Sequence, residues 1–372
     1  MKFRLLAVVM ILAVILLGCE TSELPPEIKN VTSKIYNEAK PILEHYNKSI
    51  DVCSKIWRYE LKCALKYTLA QSEISKIKDL ALKLKGKDIK ESAWNIVEWE
   101  DKNIEYDWQK AALPTPEIVY HSINGIIIDV EVVRGQDNIY QTPYETIQRG
   151  KGVCRDYAIL TASLLLAMGY SPVYILQVEF EGPARNHTAV GINVNGNYFV
   201  IDQHPPVMDL GTYYKHWKYY TTINRDIIKK IDIYEVKLGK DLAEVKFIGT
   251  LRGDELKKYD YSLTSSDLSG ICSDLANLLE RNFNIVEDSN IRNIDKTYLP
   301  RGYVKGITWR YDFPNYADYY NPEFHKEFVK FLYKQIIKDD RVVRDLNYYN
   351  RFYLKMEKDG NNLKIILNLA KT

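Results

Sequence analysis

The stretch Gly150-Lys151-Gly152-Val153-Cys154-Arg155-Asp156-Tyr157-Ala158, running on through Ile159 to Met168, decides how this chain is read. Residues 154–168 are a near-continuous apolar run of good helix formers, and Gly169 is a residue favoured just past a helix end. The glycines at 150 and 152 make the preceding segment a turn. Cys154 therefore falls in the first helical turn, where unpaired backbone N–H groups favour an anion. A thiol near neutral pH is mostly protonated, and a helix N-terminus with a nearby imidazole makes it a nucleophile. Asp156, in the same turn, caps or orients the helix. Arg155 is a surface residue or a support behind the thiol.

His187 and Asp202 follow on a readable hairpin. Asn195-Gly196, between Gly191-Ile192-Asn193-Val194 and Asn197-Tyr198-Phe199-Val200, is a strong two-residue turn signal. With that turn Val194 faces Asn197, and counting outward Asp202 faces Ala189. His187 and Asp202 then project from one face as diagonal neighbours, about 7–8 Å apart at the backbone. A slip of one residue would separate them. The small residues Ala189 and Gly191 mark that face as the one the Cys154 helix approaches, through Ala158, Ala162 and Leu165.

The Gly-x-Cys-x-Asp-(Tyr/Phe)-Ala element, the order Cys154, His187, Asp202, and the upstream Trp99-Glu100-Asp101-Lys102-Asn103-Ile104-Glu105-Tyr106-Asp107 together resemble the transglutaminase-like superfamily from about Glu91 to Gln203. The resemblance implies an α+β, papain-like core: a cysteine-bearing helix packed on an antiparallel sheet carrying histidine and aspartate. It makes Cys154 the nucleophile, His187 the general base and acid, and Asp202 the group orienting His187. Trp99 and Tyr106 would pack the core. Active members attack an amide carbonyl and pass through a thioester to water or an amine. One oxyanion donor would be the Cys154 N–H. For the second, Trp108, Gln136, Tyr140 and Gln141 are open candidates. Water needs no binding site, so hydrolysis by a peptidase or amidase is favoured. Protein cross-linking by transglutamination, and a non-catalytic surface scaffold on the same fold, are the alternatives.

The first 19 residues read as a signal segment. Lys2 and Arg4 precede an apolar run from Leu5 to Gly18, shorter than the roughly 20 residues of a spanning helix. Leu16-Leu17-Gly18-Cys19 resembles a lipobox, which implies lipid attachment at Cys19 and an extracytoplasmic protein anchored to the membrane. Its partners would be a protein, peptide or cell-surface polymer substrate and the membrane itself. A net charge of +2 with no basic run interleaved with aromatics speaks against nucleic acid. No metal or cofactor motif is present. His45, His121, His204 and His216 lack ligand spacing, although His204 sits close to Asp202 and its register places it opposite His187, in a supporting role.

The remaining organisation is a tether and helical segment over 20–85, a transglutaminase-like core over 86–220, and an α+β domain of unknown role over 221–372. The helical segment reads as a hairpin beside the core or a stalk. Cys53 and Cys63 on one unbroken helix would stand about 15 Å apart, so a bridge requires a turn between them. Asn30 and Asn47 open glycosylation sequons. Past Asp232, strands are expected at 233–237 and 244–249, helices at 265–281 and 322–338, and a hairpin turning at Asp359-Gly360. The 29 tyrosines, clustered as at Tyr213-Tyr214, Tyr219-Tyr220 and Tyr348-Tyr349, are expected to pack amphipathically with their hydroxyls toward water, the alternative being a surface for glycan or peptide.

Overall fold

A computed structural model describes residues 34, 51–123, 126–182, 186–221, 226–295 and 297–372. The apolar leader, Cys19, the tether, His45 and both sequons lie outside the described residues. The chain divides into two compact units, Met1–Tyr59 with Pro114–Asn138, and Glu60–Leu113 with Ile139–Thr372. In the first, the helix Val52–Ile56 accompanies an antiparallel hairpin, Glu117–Ile123 with Ile126–Arg134. Lys55 Nζ meets Asp129 Oδ1 there at 2.6 Å.

The second unit is built around a six-stranded antiparallel sheet. Its strands are β1 (Val173–Phe180), β2 (His187–Val194), β3 (Asn197–Ile201), β4 (Met208–Asp209), β5 (Ile228–Lys237) and β6 (Glu244–Arg252), in the order β6-β5-β1-β2-β3-β4. Val194 faces Asn197 and Val190 faces Ile201, the expected register. Asn195 and Gly196 turn with φ of 53° and 87°, as a type I′ loop requires. The helices flanking the site are α1 (Ile89–Asn103), α2 (Cys154–Ala167) and α3 (Leu210–Lys215). Every residue of α2 from Asp156 to Leu166 is buried. A helix apolar all round must be enclosed all round.

That enclosure reverses one expectation. Ala158, Ala162 and Leu165 share a core with Val190, Ile192 and Val194, the bulky face of β2. The face carrying Ala189 packs instead with Leu210, Tyr213 and Tyr214 of α3. Branched residues supply the area that a buried helix needs, and the small residues leave room for two tyrosine rings. The thiol still meets His187, because His187 is the first residue of β2 and Cys154 the first of α2. The two converge at the margin of the sheet.

The boundary drawn at residue 220 does not separate sheets: β5 lies beyond it and pairs along β1, with β6 outside. Further on, β7 (Val286–Glu287), β8 (Lys305–Phe313), β9 (Arg351–Asp359) and β10 (Asn362–Lys371) form a second sheet in the order β7-β9-β10-β8. The helices α4 (Ser265–Asn282), α5 (His325–Ile336) and α6 (Asp340–Tyr348) accompany it. Phe328, Leu367 and Leu369 belong to the same apolar core as α2. The helical segment before α1 is no stalk in its described part beyond residue 59. It breaks into Leu61–Thr68, Gln71–Ser75 and Lys78–Leu84, which bury Ala64, Leu65, Ile74 and Ala81 in that core. Cys53 and Cys63 lie on separate helices and are both disulfide-bonded, while Cys154 and Cys272 are free.

Two glycines test this packing in opposite directions. A Cβ on Gly253, just past β6, would stand 1.7 Å from the carbonyl oxygen of Ile228. Gly253→Ala should lower unfolding free energy by about 2–3 kcal/mol. A Cβ on Gly270, inside α4, meets only His325 Cε1 at 3.7 Å. Gly270→Ala should raise stability by about 0.5–1 kcal/mol in urea denaturation.

Candidate active site

The segment ahead of Cys154 is fixed on both sides. Helix Pro143–Arg149 opens with a Thr142–Glu145 capping box and ends at Gly150 in the left-handed region, φ 59°. Lys151-Gly152 then pairs in parallel with Glu105-Tyr106. Asp156, fully buried, reaches back over this turn. Its carboxylate accepts from Val153 N at 2.9 Å, Gln141 N at 3.0 Å and Lys110 Nζ at 2.6 Å. A Cβ on Gly152 would stand 2.9 Å from Asp156 Cβ, so only glycine permits that approach. Burial depresses the Lys110 pKa, and the Asp156 charge offsets part of this. Asp156 thus caps the helix as expected, and also carries the buried charge that organises the loop.

His187 and Asp202 come together as the register requires: Nε2 lies 2.7 Å from Asp202 Oδ2. Asp202 engages Nε2 and not Nδ1, and the charge of Cys154 is felt at the ring. Burial alone would favour the neutral ring, but the Asp202 charge and Cys154 outweigh it, pushing the pKa up to about 10. Asp202 is likewise buried, yet the His187 charge holds its pKa below the ordinary carboxylate value, helped by His216 and Tyr213.

Three further residues of this site were not singled out as such from the sequence. Tyr213, fully buried on α3, donates its hydroxyl to Asp202 Oδ2 at 3.0 Å. Trp217, in the π-helical turn His216–Tyr220, covers the His187 ring with centroids 4.8 Å apart. Glu100 of α1 is wholly buried, with Thr161 Oγ1 at 2.7 and 2.9 Å from its two oxygens. Burial pushes its pKa up to about 8, the Thr161 hydrogen bond opposes this, and the Asp202 charge adds to it. The only sequence signal for Tyr213 and Trp217 was the aromatic density that follows Asp202.

His204 does not stand opposite His187. β3 ends at Ile201 and Gln203 adopts φ 29°, so the ladder stops short. His204 instead places Nδ1 2.5 Å from Asp101 Oδ1, largely exposed. Among the four oxyanion candidates, Trp108 is 66% exposed. Gln136 donates its amide to the Val132 carbonyl. Gln141 is buried and committed elsewhere: with its amide turned to satisfy both ends, its oxygen accepts from Lys110 Nζ and its nitrogen donates to Thr146 Oγ1 and Lys151 O, each at 3.1 Å. Tyr140 is buried beneath the Arg155 guanidinium, 4.5 Å from its ring centroid, and feels the charge of Cys154. Burial drives its phenol well above the ordinary value, so the hydroxyl stays a donor. Arg155 is half-buried and stacks on Tyr140.

A UPF0252 protein of Archaeoglobus fulgidus is 34% identical over 322 residues, spanning 86% of this chain and 92% of that one. The chain belongs to the UPF0252 family. A second UPF0252 protein, from Pyrococcus horikoshii, is 28% identical over 295 residues, 79% of this chain and 84% of its own length. Within this UPF0252 chain, residues 75–234 match the description "Transglutaminase-like domain". The match takes in Cys154, His187 and Asp202 and extends into β5. A solved structure titled a putative cysteine protease from Cytophaga hutchinsonii is 19% identical, covers 50% of this chain and 52% of its own, and superposes with a TM-score of 0.26, too slight a likeness to build on.

The two buried carboxylates generate separate predictions. Asp156→Ala would leave the Lys110 ammonium buried without its partner, and should lower unfolding free energy by about 3–5 kcal/mol. For Glu100 the folded pKa, about 8, lies above the ordinary 4.5. The folded state therefore holds a proton that the unfolded chain has released between those values, and stability falls as pH rises through that window. Glu100→Gln keeps the Thr161 contact and removes the penalty. Its stability relative to wild type should rise from pH 4.5 to pH 8, by an amount on the order of 3–5 kcal/mol, in urea unfolding at stepped pH.

Proposed function

We propose that this protein is a cysteine enzyme that opens amide bonds through a thioester, acting as a peptidase or amidase. The observation that carries the reading is the buried His187–Asp202 pair at 2.7 Å, with Cys154 at the first position of α2 beside the ring. In the first half-reaction the Cys154 sulfur attacks the carbonyl carbon, and the oxyanion forms near the Cys154 N–H. His187 Nδ1 holds the thiol proton and passes it to the nitrogen of the departing amine as the C–N bond breaks. In the second half His187 takes a proton from water, hydroxide adds to the thioester carbonyl, and the acid leaves as the thiol is restored. Asp202 keeps Nε2–H pointed inward throughout, and Tyr213 steadies Asp202. Transfer to an amine would share the first half, but water needs no site of its own.

Tyr140 is the side chain we assign as the second oxyanion donor, since the other three candidates point to solvent or are already engaged. The lipobox-like Leu16-Leu17-Gly18-Cys19 supports lipid attachment at Cys19 and an extracytoplasmic setting, with proteins, peptides or cell-surface polymers as substrates. No helix among the described residues is long and apolar enough to cross a membrane.

Limiting iodoacetamide, read by mass spectrometry across pH, tests the chemistry. Cys272 is an internal reference, because burial pushes its pKa up to about 11. Cys154 should alkylate well below the pH at which a free thiol ionises, about 8.5, and His187→Ala should slow it roughly tenfold or more near neutrality. A Cys154 profile matching a free thiol, unmoved by His187→Ala, would contradict the proposal.

A further inference from the structure

Beside the triad lies a cavity of about 170 Å³, bounded by His187, His216, Trp217, Pro206, Met208 and Tyr319. Asp202, Gln203, His204 and Pro205 also reach its wall, and Cys154 is not among the residues lining it. Two properties of this wall define what it takes. The first is chemical. One nitrogen of each imidazole is already engaged: His187 Nε2 with Asp202, His216 Nδ1 with the Tyr319 hydroxyl at 2.9 Å, and His204 Nδ1 with Asp101. The Pro206 and Met208 side chains and the Trp217 indole then supply hydrocarbon surface. A cavity of this size, so lined, suits a compact apolar group about as large as benzene.

The second property is position. In acyl transfer the acyl half of the substrate is bonded to sulfur, and the ring delivers its proton to the departing nitrogen. The cavity borders the His187 ring and its Asp202 partner and nothing of the cysteine, so it lies away from the acyl half, which is held at the sulfur. We propose that this cavity is the subsite for the amine half of the substrate. It accepts one branched aliphatic or benzene-sized side chain, carried by the residue whose α-nitrogen leaves. The inference rests on the cysteine-enzyme reading and narrows its substrate to peptide bonds followed by a compact apolar residue. A lysine side chain linked through its ε-nitrogen would place a thin linear chain in a compact space.

Protection of Cys154 from iodoacetamide reads occupancy without turnover. The full chain in mild detergent is alkylated with equal concentrations of leucinamide, glycinamide or n-pentylamine, and Cys154 and Cys272 are followed separately. Leucinamide should protect Cys154 roughly tenfold more effectively than glycinamide, the discrimination one buried apolar side chain supplies. Pentylamine should do no better than glycinamide, and Cys272 should be indifferent to all three. Equal protection by leucinamide and glycinamide, or best protection by pentylamine, would overturn the assignment. Met208→Trp fills the cavity, and, with its own amide-free rate as reference, should make leucinamide and glycinamide equivalent. A leucinamide preference surviving in that variant would also count against the proposal. If the variant misfolds, revealed by rapid alkylation of Cys272, the wild-type comparison decides alone. The triad reading fails separately, through a Cys154 rate that ignores His187→Ala.

Discussion

One buried carboxylate holds the Cys154 end of this molecule together. Asp156 gathers the N–H of Val153, three residues before it, the N–H of Gln141, fifteen before it, and the Lys110 ammonium, forty-six before it. The net worth of such an ion pair is small, because desolvating both charges cancels much of their attraction. Its consequence is geometric. Two of the three donors lie in the segments that lead to Cys154, so the carboxylate settles where α2 begins. Gly152 permits the approach, and the enclosure of α2 from Asp156 to Leu166 fixes the helix in every direction. The position of the sulfur is set by this anchor before any partner side chain is considered.

Around that anchor the protein keeps its buried charges few and matched. Asp202 is ionised and faces a ring that favours the imidazolium, while Glu100, near enough to feel the Asp202 charge, is driven toward the neutral form. Burial disfavours the charge on Glu100 first of all, and the Asp202 charge adds to that. Tyr213 donates to the charged one; Trp217 covers the imidazole. The layer that does this, α3 and its π-helical turn, packs on the small-residue face of β2, so the inversion of the two sheet faces has a functional meaning. The bulky face is spent on α2, and the face bearing His187 is closed by aromatic rings.

Much of this was legible in the chain. The Asn195-Gly196 turn set the register that aligns His187 with Asp202, and Gly169 marked the end of α2, because both signals are local and act through backbone conformation. α4 and the hairpin strands turning at Asp359-Gly360 were readable for the same reason, whereas β7 and β8 were not expected. What escaped was long-range. Which face of β2 receives α2 depends on total buried area, which no window of residues records. The membership of β5 and β6 in the core sheet, across an expected boundary, is a matter of strand order. The roles of Lys110, Tyr213 and Glu100 arise from partners 46, 11 and 61 residues away. His204 misled because a correct register was extended past the strand's end, where Gln203 leaves the ladder.

The central claim is that sulfur, imidazole and carboxylate form one charged unit inside the protein. Nitrogen-15 NMR of histidine-labelled protein tests it most directly, following the His187 ring through a pH titration in wild type and in Asp202→Asn. The account predicts that His187 remains an imidazolium well above the ordinary value of 6.5 and that removing the Asp202 charge lowers its midpoint. A ring that titrates at or below that value in wild type, and does not respond to the substitution, would contradict it.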